Sequence, residues 1–185
     1  SSLIVWRDPK VAGAPFTCGG SGPNFLPLAQ ECGIMRSIDH FVLSQALDQV
    51  KELLGRGMAV PVSINLSMES LTDVCFLERV GEALHRAQVP PNLLEVEIPE
   101  GALMHNVEGA RKVLEGPDEM GVKISIDDFG TGYSSFSYLA RFPVHALKVD
   151  RSFVMDMHEN AANQKIVKSI VRLAHSLQIQ VTAEG

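Results

Sequence analysis

Residues 123–132 read KISIDDFGTG. A short apolar, β-branched run ends in two adjacent acids and runs into a glycine-containing turn. Buried parallel strands have this composition, and in barrels built from them the functional residues collect at the C-terminal ends of strands. Four further stretches follow the same pattern: VPVSINLS (60–67) delivers Asn65, LLEVEIPE (93–100) delivers Glu97 and Glu100, ALKVD (146–150) delivers Lys148 and Asp150, and QIQVTAEG (178–185) delivers Glu184. Five strand ends carrying carboxylate, amide and ammonium groups predict one converging site. Oxygen donors of this kind suit hard divalent cations such as Mg²⁺ and Mn²⁺.

Working outward, residues 3–6 (LIVW) read as a sixth strand and residues 12–23 as a Gly/Pro-rich loop. A short helix is expected from Phe25. A longer one is expected to be capped by Ser37 and to carry an apolar face of Phe41, Val42, Ala46, Leu47, Val50, Leu53 and Leu54. A further helix should use Leu71, Val74, Cys75, Leu77, Val80 and Leu84. Another uses Val107, Ala110, Val113 and Leu114, with Gly116-Pro117 expected to break or kink it. A helical turn is expected through Phe136, Tyr138 and Leu139, and a last helix over Ile166 to Leu177. Strands alternating with helices imply a parallel sheet. A (β/α)₈ barrel takes about 250 residues, and this chain of 185 stops directly after a strand. The expectation is a single α/β domain over residues 1–185, a TIM-like barrel incomplete at both ends. The rival, an open doubly wound sheet, lacks its Gly-rich dinucleotide fingerprint.

Composition narrows the function. The chain is 45% hydrophobic and 21% charged, as folded domains are. Its net charge of -6 argues against DNA or RNA as a partner. No apolar run is long enough for a membrane span. Cys18, Cys32 and Cys75 form no CxxC pair and read as free thiols of a cytoplasmic domain, with Cys75 on an apolar helix face. The six histidines form no HxH or HExxH pattern, and neither a GxSxG elbow nor a P-loop is present.

Each candidate also has a plainer reading. Asp127-Asp128 before Gly130 could be a turn-capping pair, and adjacent strand residues begin on opposite faces. Asn65 could cap the helix after Ser67, and Glu100 could favour a helix dipole. Lys148 could serve a salt bridge, to Asp150 or a neighbour, as readily as it could orient a water. Glu184 could be a third acid on metals, a general base or an exposed chain end. Glu97 is harder to dismiss, because a carboxylate inside an apolar strand is costly unless paired or metal-bound. Together these groups point to two-metal hydrolysis of a phosphate ester.

DDFGTGYSSFSYL (127–139), SINLS (63–67), LEVEIPEGALM (94–104), ALKVDRSFV (146–154) and VTAEG (181–185) together resemble the EAL domain of bacterial cyclic di-GMP phosphodiesterases. The motifs occur in the family's order and span nearly the whole chain. The resemblance implies a TIM-like barrel with one antiparallel strand, hydrolysis of cyclic di-GMP to pGpG, Mg²⁺ or Mn²⁺ as cofactor, a homodimer, and regulatory or GGDEF-type neighbours. It implies that Asn65, Glu97, Asp127 and Asp128 hold metal, with Asp127 bridging. Lys148 matches the lysine near the water and phosphate, Glu184 an essential acid acting as base or ligand, and Glu100 the glutamate that holds the loop after Asp128. Asp150 is assigned to substrate binding. Ser1 and Val5 stand where the family carries a metal-binding glutamate and a phosphate-contacting arginine, and the 12–23 loop is longer than the family leads one to expect. The alternative to an active phosphodiesterase is therefore a domain that binds cyclic di-GMP, or a partner protein, without turnover.

Overall fold

The computed structural model describes residues 25–73, 75–105, 107–132 and 139–184. The expected strand at 3–6, the 12–23 loop, Cys18 and most of the helical turn before Leu139 lie outside them. Five strands are described: β1 (Val62–Asn65), β2 (Leu94–Pro99), β3 (Lys123–Phe129), β4 (Ala146–Val149) and β5 (Gln180–Ala183). They pair in sequence order, β1-β2-β3-β4-β5, and every pairing is parallel. The antiparallel strand that the resemblance implies is not among them. This is the α/β architecture expected of an arc of a TIM-like barrel.

The sheet has two unlike faces, as the two-residue repeat of a strand dictates. One carries Val62, Ile64, Leu94, Val96, Ile98, Ile124, Ile126, Leu147 and Val149, all at most 4% exposed. Helices cover that face. Burying each of these side chains contributes about 1.5–3 kcal/mol. The other face carries Asn65, Glu97, Asp127 and Lys148. The registers Asn65↔Glu97, Glu97↔Ser125 and Ser125↔Ala146 fix that common direction.

The α-helices among the described residues are α1 (Phe25–Glu31), α2 (Met35–Gly55), α3 (Met68–Leu71), α4 (Phe76–Ala87), α5 (Glu100–His105), α6 (Val107–Glu119), α7 (Arg151–Val154) and α8 (Ala161–Ser176). Ser37 does not cap α2, which starts two residues earlier at Met35. Its buried stripe is Met35, Asp39, Leu43, Ala46, Leu47 and Val50, whereas Phe41 and Val42 are exposed. The expected single helix from Leu71 to Leu84 is divided. Ser67 caps α3 by accepting the Ser70 N–H. Asp73 then opens α4, its side chain accepting the Cys75 N–H at 3.0 Å. Cys75 thus sits just outside α4 and is exposed, not buried, because the buried stripe of that helix is Phe76, Val80, Ala83, Leu84 and Ala87.

Gly116-Pro117 does not break α6, which continues through Pro117 to Glu119. Only the last turn loses a hydrogen bond to the proline. Gly116 is there for proximity: a Cβ would lie 2.5 Å from the Leu77 methyls of α4. No helix among the described residues is long and apolar enough to cross a membrane.

Candidate functional site

Each candidate side chain stands at or near the C-terminal end of its strand. Asn65 is the last residue of β1, Glu97 lies two residues before the end of β2, and Lys148 is the penultimate residue of β4. Glu184 directly follows β5, its N–H donating to the Val149 carbonyl at 3.2 Å. That bond keeps Glu184 in line with β4, so it is not a frayed end.

Lys148 is the hub. Its ammonium is 2.9 Å from Glu97 Oε2, 3.4 Å from Asp127 Oδ1 and 2.8 Å from Glu184 Oε1. The salt bridge expected as an alternative therefore exists, but with the site acids and not with Asp150. The lysine is only 2% exposed. Burial alone would favour the neutral amine, yet its hydrogen bonds to Glu184 and Glu97, reinforced by the charges of Glu97 and Asp127, outweigh that. Its pKa is consequently held above that of an ordinary lysine. Glu97 moves in the opposite sense to its pairing: burial raises its pKa, and Lys148 only partly offsets the rise.

The adjacent acids are brought to one side by a bulge. Register slips between Ile126 and Phe129, and Asp128 adopts a left-handed backbone with φ 53°. An extra residue in a strand re-aims the side chains around it, and Asp tolerates the left-handed region better than most residues. As a result, carboxylate oxygens of Asp127, Asp128 and Glu184 lie within 4.8 Å of one another. Beside them, Glu97 Oε1 is buried and accepts no hydrogen bond among the described residues. A buried carboxylate oxygen without a donor is costly, and a cation is the partner its chemistry calls for. Three carboxylates on one ammonium, with Asp128 beside two of them, give the donor set that a hard divalent cation takes.

Glu100 begins α5 and reaches across to the loop after β3. Its Oε2 accepts the Gly130 N–H at 2.8 Å and the Gly132 N–H at 3.3 Å. Gly130 has φ 103°, and a Cβ there would lie 3.0 Å from the Phe153 ring. Asp150 caps α7, accepting the Ser152 N–H at 2.9 Å and also the Ser152 hydroxyl. That hydroxyl, more than the backbone donors, lowers its pKa.

Two buried polar groups near the site escaped the sequence reading. Ser125, fully buried, neighbours Glu97 in register, and its Oγ has no partner among the described residues. Asp39 of α2 accepts from Ser67 N at 3.0 Å and from Ser70 Oγ at 2.6 Å. The signal for Asp39 was present: it is an acid at a position of the buried helical stripe.

The fold and the acids define a class, a barrel-type domain with a carboxylate cluster at its strand ends that can hold a metal. The family model described as the EAL domain matches residues 9–185. The chain belongs to the EAL domain family. It is 38% identical over 186 residues to the cyclic di-GMP phosphodiesterase NbdA of Pseudomonas aeruginosa, covering all of this chain and 23% of that protein. It is 33% identical over 184 residues to the cyclic di-GMP phosphodiesterase PdeR of Escherichia coli, covering all of this chain and 27% of that protein. A solved structure of PaMucR phosphodiesterase in complex with c-di-GMP superposes with a TM-score of 0.84 at 37% identity, over 88% of this chain and 66% of that one. The chain spans only about a quarter of the length of these two curated relatives.

Proposed function

We propose that residues 1–185 form one EAL-type domain that hydrolyses cyclic di-GMP to pGpG. The observation carrying the proposal is the cluster around Lys148, where Glu97, Asp127 and Glu184 converge on one buried ammonium and Asp128 stands beside them. Membership of the family and the ligand in the similar PaMucR complex support the same substrate. In this reading Asn65, Glu97, Asp127 and Asp128 hold Mg²⁺ or Mn²⁺. When bound, such ions stabilise phosphoryl oxygens and make water more acidic. Water's oxygen bonds to phosphorus, the bond to the ribose 3′ oxygen breaks, and the proton ends on that leaving oxygen. Lys148 orients the water and phosphate, Glu184 takes the proton or completes the ligand set, Glu100 holds the loop, and Asp150 contacts the substrate. Regulatory or GGDEF-type neighbours, a homodimer and a cytoplasmic location complete the proposal. The free thiols Cys32 and Cys75 accord with that location.

A second reading rests on Ser1 and Val5. A hydroxyl is a poor substitute for a carboxylate on a divalent cation, and valine cannot replace bidentate phosphate recognition. It is a domain that binds cyclic di-GMP with little or no turnover. The test measures pGpG formation and cyclic di-GMP binding with Mn²⁺, using the chain extended at both ends. Wild type, Asp127→Asn and Ser1→Glu/Val5→Arg are compared. Hydrolysis by wild type that Asp127→Asn abolishes supports the first reading. Binding without hydrolysis, with turnover gained in the double variant, supports the second. Absence of binding in all three refutes both.

A further inference from the structure

We infer that Asp39, a buried acid on helix α2, is a positioning residue that sets the place of Asn65 in the metal centre. The inference rests on the proposed reading of that centre.

Asn65 ends β1 and its side chain is exposed, so no packed wall fixes it. Its position follows from the backbone on either side. Upstream, β1 is locked to β2 by parallel pairing. Downstream, the Leu66 N–H donates to the Glu97 carbonyl at 2.8 Å. The next residue is Ser67, and here Asp39 takes over. One oxygen, Asp39 Oδ2, accepts from Ser67 N at 3.0 Å, Ser67 Oγ at 2.5 Å and Ser70 Oγ at 2.6 Å. Asp39 is 9% exposed and Ser70 4%. Three donors converging on one buried carboxylate oxygen form a charge-assisted set, roughly twice as strong per bond as neutral ones. The arrangement also spares the Asp39 charge the cost of burial without a partner.

The geometry gives Asp39 more to do than join two helices. It fixes the second residue after Asn65, in the one segment that must turn sharply from strand into α3. Arg36, one turn earlier on α2, grips the same segment at the Glu69 carbonyl, 3.2 Å away. Groups that orient a metal ligand without touching the metal matter to affinity by about 10–100-fold. Asp39 bonds to Ser67 and Ser70 and not to Asn65 itself, so its effect on the metal should pass through the chain into Asn65.

The test is a double-mutant cycle read by Mn²⁺ calorimetry on the extended chain. Asp39→Ala should weaken Mn²⁺ binding about 10–100-fold. Asp39→Asn, which keeps an acceptor oxygen, should recover most of the loss. In Asp39→Ala/Asn65→Ala the loss should equal that of Asn65→Ala alone, because coupled residues do not add. Val50→Ala, a cavity in the core face of the same helix, should lower Tm and leave Mn²⁺ affinity unchanged. If Asp39→Ala does not fold, Ser70→Ala removes one of the three donors and enters the same cycle. Wild-type affinity in these variants, additive losses, or an equal loss in Val50→Ala overturns the inference while the metal reading stands. A wild type that binds no Mn²⁺ overturns both.

Discussion

Replacing Lys148 by methionine keeps the length of the side chain and removes its charge. The ammonium it removes contacts Glu97 at 2.9 Å, Asp127 at 3.4 Å and Glu184 at 2.8 Å. Glu97 and Asp127 are 2% and 6% exposed, so water cannot take the lysine's place. Breaking a buried ion pair from one side costs about 3–5 kcal/mol. For a chain of this length each kcal/mol lowers Tm by about 2–4 °C, so the metal-free protein should melt about 6–20 °C lower. Two features separate this from ordinary core damage. First, Mn²⁺ should raise the Tm of Lys148→Met more than that of wild type, because a cation answers the same carboxylates. Second, the deficit should shrink as pH falls. Glu97 already has a raised pKa from burial, and without the lysine it takes up its proton more readily in the folded state than in the unfolded one. Stability of the variant relative to wild type therefore rises toward acid pH. The assay is thermal unfolding in chelator and in Mn²⁺, from about pH 8 down to about pH 5.5. An unchanged Tm in chelator, or a deficit that is constant across pH, would refute the reasoning.

Glu100→Ala removes the acceptor for the Gly130 and Gly132 N–H groups, which should cost about 1–3 kcal/mol. Limited proteolysis should then cut fastest near that loop, and an unaltered cleavage pattern would count against the role given to Glu100. His145 Nδ1 accepts the Ile124 N–H at 3.3 Å, and burial lowers its pKa, helped by the Lys123 charge. The unfolded chain thus takes up the proton first, so this contribution to stability is present above about pH 6.5 and lost as pH falls. His145→Asn, keeping an acceptor but no titration, should lose less stability between about pH 7.5 and about pH 5.5 than wild type; an equal loss would deny the imidazole any part. Cys32 and Cys75 are both exposed and should react with a thiol reagent in the native state, without denaturant. Protection of Cys75 would contradict its place outside α4.

Much of the fold was legible because buried parallel strands advertise themselves. Runs such as residues 94–99 and 123–129 are apolar throughout on the helix-covered face, and a charge on the opposite face, such as Glu97 or Lys148, stands out at once. The described strands fall where those runs predict them. What was not legible came from tertiary choices. Ala46, Leu47 and Val50 of the expected α2 face are buried, but nothing local told that Phe41 and Val42 would be exposed while Met35, Asp39 and Leu43 complete the stripe. The division between α3 and α4 goes with short-range bonds, the Ser67 cap of α3 and the Asp73 carboxylate accepting the Cys75 N–H, which an apolar repeat conceals. Convergence of Asp127 with Asp128 needed a bulge, and alternation along a strand predicts the opposite. Gly116-Pro117 looked like a helix breaker because of the proline, and the Leu77 methyls that explain the glycine belong to α4, far away in sequence.

The sequential order of the strands bears on synthesis as well as on shape. Each new strand finds its partner in the strand made just before it, so the sheet can grow in the direction the ribosome delivers it. The site assembles on the same schedule. Asn65 and Glu97 are in register once β2 docks, the aspartates arrive with β3, and Lys148 joins them with β4. Glu184 is last. Until residues 180–183 pair with β4, its edge offers unpaired N–H and C=O groups to any other chain, the hazard that open sheet edges bring. A released chain cut short near residue 176, at the end of α8, would carry most of the acids and the ammonium, and a sticky edge where the last acid should be.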